Sequence, residues 1–242
     1  MQRINAAVFA LLLVAGCAEH MAPQQPVQAR SLAIVTGFGE QIELNFVGFT
    51  AFTNGKRSAK VDWQIDRHFK QRAATELGGR YDIRQVSYDP AILRQETGSI
   101  FGPDPAIALV RSVVTPGTAD IIVYFGPTTM EDTLGRSNQY VGGLGLYSRS
   151  VFGFGSRDSA AYAAWRGMLF DGKTLQPLGQ TMALLPFDLL TLRSRIPHIP
   201  SGITVPEKYE DLNPAQQRLA RDLIFKIIAD TMPQVLTELK LR

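Results

Sequence analysis

The chain carries a single cysteine, Cys17, at the end of an apolar run from Ala6 to Ala15. With no second thiol, no disulfide can staple the body that follows, so its stability has to come from a buried apolar core. A hydrophobic content of 45% against 19% charged residues is the composition of a chain that can build one. The apolar run is too short to cross a bilayer as a helix, which takes roughly 20 residues. No later segment is apolar enough to do so. Residues 31–242 are long enough for one large domain or two small ones, and we read them as one.

Met1-Gln2-Arg3 gives a positive start, the apolar stretch follows, and small residues precede Cys17. These are the features of an export signal. Val14-Ala15-Gly16-Cys17 resembles the bacterial lipobox: aliphatic, small, small, then the obligatory cysteine. The resemblance implies removal of residues 1–16 and attachment of diacylglycerol to the Cys17 thiol, with Val14, Ala15 and Gly16 read by the signal peptidase. Residues 17–30 are rich in Gln and Pro and suit a flexible tether. Extended, residues 17–29 would reach about 40 Å. Acyl chains contribute about 0.8 kcal/mol per buried CH₂, so several of them hold a protein firmly to a membrane. Ala18 is not the Asp of inner-membrane retention, which points to the outer membrane, facing the periplasm.

Along the body, Ser31 to Thr36 reads as a buried strand, and Ile42, Leu44 and Phe46 alternate with polar residues in a half-buried one. Gly48 bends or ends it, and Asn54-Gly55 marks a turn. Val61, Ile65, Phe69, Ala73 and Leu77 recur every four residues, the stripe of an amphipathic helix closed by Gly78-Gly79. A strand is expected over Tyr81 to Tyr88. Asp104-Pro105 opens a short helix through Val114 as cap and first-turn proline. Ala119 to Phe125 reads as a central strand with one charge, Asp120. Three strands follow, Tyr140 to Phe152, Ala160 to Phe170 and Thr174 to Leu185, with a tight turn at Asp171-Gly172. Gly142, Gly143 and Gly145 suggest a bulge or a close backbone approach. Pro186 to Pro206 is proline-dotted and expected to run irregularly across the surface. Asn213-Pro214 opens a helix over 213–240, and Pro233 should kink or split it near Thr231.

The expected class is α/β (α+β): a mixed sheet with a β-meander, flanking helices and a long C-terminal helix. In outline the chain resembles the envelope lipoproteins with an anticodon-binding-domain-like fold. These include the curli secretion lipoprotein, activators of peptidoglycan synthases and the amino-terminal domain of the Tol-system propeller protein. The residues that carry the resemblance are the lipobox, the helix Val61 to Gly79, Ala119 to Val123, and Leu169 to Leu175. Long amphipathic pore-forming hairpins, part of the curli secretion pattern, are not seen in this sequence.

No catalytic constellation stands out. His20, His68 and His198 have no metal-ligand spacing, so neither a metal nor a cofactor is expected. Gly153-Phe154-Gly155-Ser156 lacks the nucleophile-elbow pattern. Asp62, Asp66, Asp158, Asp171 and Asp188 show no pairing by spacing, and Asp171 has a turn role. The net charge of +3 is dispersed, which speaks against nucleic acid. Trp63 lies off the apolar stripe, and Phe38, Phe49 and Phe52 cluster at glycine-rich bends, aromatics that could either anchor a protein partner or fill the core. The leading expectation is therefore a non-enzymatic, membrane-anchored protein that binds an envelope protein or copies of itself. A hydrolase of an envelope polymer and an oligomeric export accessory are the alternatives.

Overall fold

The computed structural model describes residues 29–48, 54–89, 104–132, 134, 139–151, 156–188 and 193–242. A mixed sheet with a long C-terminal helix is what it shows. The strands are β1 (Ser31–Thr36), β2 (Gln41–Val47), β3 (Gly55–Lys60), β4 (Asp82–Arg84), β5 (Ile121–Pro127), β6 (Thr129–Glu131), β7 (Tyr140–Val151), β8 (Ser156–Asp171), β9 (Pro177–Met182), β10 (Leu185–Asp188), β11 (Arg193–Arg195) and β12 (His198–Pro200). The helices are α1 (Ile65–Leu77), α2 (Pro105–Val113) and α3 (Pro214–Glu238). Ten strands form one sheet whose main path runs β3-β2-β7-β8-β5-β1-β4, while β10 and β11 pair separately.

Strand β8 joins two half-sheets. Its first part lies between β7 and β12, and its second part between β5 and β9. At the junction sits Trp165, fully buried, edge-on to Phe69 at 5.2 Å and Phe125 at 5.8 Å between ring centroids. Its Nε1 donates to Thr231 Oγ1 of α3 at 3.3 Å, so the largest core side chain also leaves no buried donor unpaired.

Alternate residues of β1 and β5 face opposite layers. Leu32, Ile34, Ile121, Val123 and Phe125 pack with α1 and α3, whereas Ala33, Val35, Ile122 and Tyr124 pack with α2. Asp120, the lone charge ahead of β5, accepts from the Arg30 and Ser31 amides at 2.9 Å each and pins the start of β1. Asp104 caps α2 by accepting from the Ala106 amide at 2.9 Å, and both its oxygens also pair with Arg166 of β8. In the meander, a Cβ on Gly145 would lie 2.2 Å from the Glu43 carbonyl oxygen, so close approach of β2 requires glycine there.

Four expectations are corrected. The 186–206 stretch is not merely superficial: it holds β10, β11 and β12 and buries Ile196, Ile203 and Val205. The strand expected over Tyr81 to Tyr88 ends at Arg84, because Tyr88 turns its hydroxyl back to accept from the Thr36 amide at 2.7 Å. Strand β3, not anticipated, carries Lys56, Arg57 and Lys60 and, among the described residues, pairs only with β2, so its pattern is that of a guarded edge. Of the two outcomes expected at Pro233, a kink or a split, the split does not occur: α3 runs through as one element, because Thr231, Met232, Val235 and Leu236 on either side are all buried in the core. The packing of those four side chains outweighs one lost main-chain hydrogen bond. Among the described residues no helix is long and apolar enough to cross a membrane.

Candidate functional site

Helix α1 begins four residues later than its apolar stripe, at Ile65, because the sequence offers no local cap. Gln64 holds a left-handed conformation (φ 54°, ψ 46°) and makes no capping bond with its own side chain. The cap comes from far away. Glu40, in the loop after β1, accepts from the Gln64 amide at 2.9 Å and the Ile65 amide at 3.1 Å. In return Asp66 of α1 accepts from the Phe38 and Gly39 amides of that loop at 2.9 and 2.8 Å. Loop and helix thus hold each other through two carboxylates. Burial raises the Glu40 carboxyl above its ordinary value, and the two amide bonds oppose that rise.

On one flank of α1 this clamp overlooks a groove. Strand β1 has parallel neighbours on both sides, β4 and β5. The loop after β1 packs on the α1 layer through Phe38 before the chain enters β2, and the segment after β4 packs on the α2 layer through Val86 and Tyr88. Adjacent parallel strands whose connections leave to opposite faces open a crevice at their carboxyl ends, the usual place for a ligand in such sheets. Here the crevice has a volume of about 720 Å³, with Gln64, Arg67, Lys70 and Gln71 on the helix wall and Ile83, Arg84 and Gln85 on the strand wall.

The other flank is aromatic. Trp63 meets Tyr209 and Phe225 edge-on, at 6.0 and 6.3 Å between centroids, and His68 stacks on Phe225 at 3.8 Å with planes 5° apart. Trp63, His68 and Phe225, together with Asp62, Arg67, Gln71 and Arg221, line a hollow of about 310 Å³. Burial, with a smaller contribution from Arg72, lowers the His68 pKa, and its Nε2 is buried with no hydrogen-bond partner among the described residues. Both facts favour the neutral ring. Gln64, Arg67 and Gln71 border both concavities, so the first two turns of α1 form one continuous surface.

The expected site residues fall as follows. Trp63 is half-buried in the aromatic flank. Phe38 is 7% exposed and stacks on Phe69 at 4.0 Å, so it belongs to the core. Phe49 and Phe52, and likewise Val14, Ala15, Gly16 and Cys17, lie outside the described residues. Asp171 accepts from the Lys173 and Thr174 amides and shapes the turn after β8. Among the described residues no group of three or more His, Cys, Asp or Glu could hold a metal. Glu40, Lys70, Arg84, Tyr209 and Phe225 were not singled out from the sequence. Only Arg67 and Lys70, three apart on one helix, left a readable signal.

No family model matches the chain, and no curated protein matches it either. Solved structures with a related outline include hypothetical protein CT253 from Chlamydia trachomatis, at 10% identity and a TM-score of 0.30, covering 88% of this chain and 94% of that one. Protein XCC0632 from Xanthomonas campestris matches at 10% identity and 0.39, covering 89% of each. A putative neuraminyllactose-binding hemagglutinin homolog from Helicobacter pylori matches at 8% and 0.32, again covering 89% of each. These neighbours are bacterial proteins. Likeness at such scores says nothing about what this chain binds.

Proposed function

We propose that the chain is a lipid-anchored protein of the bacterial envelope that binds another envelope protein through the surface around the first turns of α1. The leader and the Val14-Ala15-Gly16-Cys17 pattern support the anchor, at the outer membrane and facing the periplasm. The observation that carries the binding role is the half-buried ledge of Trp63, His68 and Phe225, flanked by Arg67 and Arg221. Aromatic anchors with a polar and cationic rim are the composition of protein-binding hot spots. The carboxylates of the neighbouring groove speak for binding rather than hydrolysis. Glu40 and Asp66 each take two main-chain amides, which occupies them as structural acceptors.

Crosslinking and capture of the acylated chain from its native envelope tests this, with Cys17→Ser and Trp63→Ala as variants. The expected result is a reproducible partner lost in both. A correctly acylated and folded Trp63→Ala protein that captures the same partner at full yield would overturn the assignment of the surface. An empty capture by the native chain would overturn the binding role itself.

A further inference from the structure

The groove on the other flank of α1 has a chemistry of its own. Its volume, about 720 Å³, lies within the roughly 300–1,000 Å³ of sites that take small ligands or short segments. Arg67 and Lys70 stand one turn apart on the helix wall, and Arg84 stands on the strand wall across from them. Arg67 donates to Gln64 Oε1 at 2.8 Å, and the Lys70 ammonium lies 4.3 Å from the centroid of the Tyr88 ring. Among the described residues no carboxylate lies within ion-pair distance of either. Arg84 pairs with Asp82 at 2.7 Å, but both side chains are more than half exposed, so a ligand can compete for it. Glu40 and Asp66 also line the groove and keep their negative charge, but their oxygens are turned to main-chain amides and, among the described residues, form no ion pair with Arg67, Lys70 or Arg84, which outnumber them.

Three further features narrow the ligand. Two of the amides at the α1 terminus, those of Gln64 and Ile65, are already taken by Glu40, whose negative charge there disfavours a phosphate. No aromatic side chain lines the groove among the described residues, so a sugar ring finds no stacking face. What remains is a set of primary amides, Gln64, Gln71 and Gln85, each able to donate and accept as a peptide group does, over an apolar floor that includes Ile34 and Ile83. We propose that the groove binds a short extended peptide segment of the partner protein bearing at least two acidic side chains, one held by Arg67 and Lys70 and the other by Arg84. The inference rests on the binding role proposed above and adds the ligand chemistry.

The test uses the full acylated chain in mild detergent and a fluorescein-labelled hexapeptide of alternating glutamate and alanine, read by anisotropy. A second peptide has glutamine for glutamate. The acidic peptide should bind, the glutamine peptide should not, and binding should weaken as salt is raised. Arg67→Glu with Lys70→Glu should weaken it at least about tenfold, as expected for losing charge-assisted bonds to two cations. Lys60→Glu with Lys173→Glu, the same charge change on exposed residues elsewhere, should leave it unchanged. A milder pair, Arg67→Gln with Lys70→Gln, repeats the measurement should the reversed pair fail to fold. Equal binding of the two peptides, no binding of either, or native-like binding by a folded groove variant would overturn the inference. Partner capture that survives the groove variant but fails in Trp63→Ala would sink this inference and leave the binding role standing.

Discussion

Replacing Asp66 with alanine removes the inner half of the clamp between α1 and the loop after β1. The Asp66 side chain is 8% exposed and accepts from the Phe38 and Gly39 amides at 2.9 and 2.8 Å. Each buried amide left without an acceptor costs about 1–3 kcal/mol, and an acidic side chain in the first helical turn contributes roughly a further 0.3–1 kcal/mol. Asp66→Ala should therefore destabilise the protein by about 3–5 kcal/mol. For a chain of this size, with roughly 2–4 °C of Tm per kcal/mol, the loss is about 10 °C. Urea unfolding followed by Trp fluorescence measures it. Glu40→Ala should cost less, about 1–2 kcal/mol, since the Gln64 and Ile65 amides lie nearer to solvent and water can replace the lost acceptor. Because each carboxylate holds the segment that presents the other, the double variant should cost less than the sum of the two, by about 0.5–3 kcal/mol. An Asp66→Ala cost below about 1 kcal/mol, or strict additivity with Glu40→Ala, would refute the reciprocal clamp.

Gly145→Ala would place a Cβ 2.2 Å from the Glu43 carbonyl and 2.7 Å from the Tyr162 hydroxyl, so β2 and β7 would have to part. Chemical denaturation should show a loss of about 2 kcal/mol or more. Gln64→Gly should do the opposite and stabilise by about 0.5–1 kcal/mol, since glycine tolerates φ 54° without steric cost; a lower unfolding midpoint would contradict that. For His68, the folded pKa lies below the ordinary 6.5, so the unfolded chain takes up the proton first. This contribution to stability is complete above about pH 6.5 and is lost as pH falls from there towards the folded pKa. His68→Gln should remove that slope from a plot of unfolding midpoint against pH, and an unchanged slope would show that His68 is not its source.

Local chemistry explains which parts of the fold were legible. Asn213-Pro214 announced α3, and the structure shows Asn213 accepting from the Ala215 and Gln216 amides. Strand β1 was readable as an apolar run and β2 by its alternation, because their side chains report burial directly. Strand β3 was not, since an edge strand with charges along it has the pattern of a loop. The start of α1 was misplaced for a different reason: its cap, Glu40, lies 24 residues before the amide it serves, and no local motif encodes it. The site divides in the same way. Trp63 could be flagged because it breaks the helical stripe, but its partners Tyr209 and Phe225 come from the far end of the chain and only the fold brings them there. Phe38 read as an aromatic at a glycine bend, and what decides its role is the stacked Phe69 beneath it.

A photocrosslinking amino acid placed at Gln71, which borders both the groove and the aromatic hollow, probes the α1 surface inside the native envelope. The same probe at Lys173, in the exposed turn after β8, serves as the comparison. A partner docked on the first turns of α1 should give a discrete adduct from position 71 and none from position 173, with the adduct lost when Cys17→Ser removes the anchor. Adducts of equal yield from both positions, or from neither in correctly acylated protein, would contradict such docking.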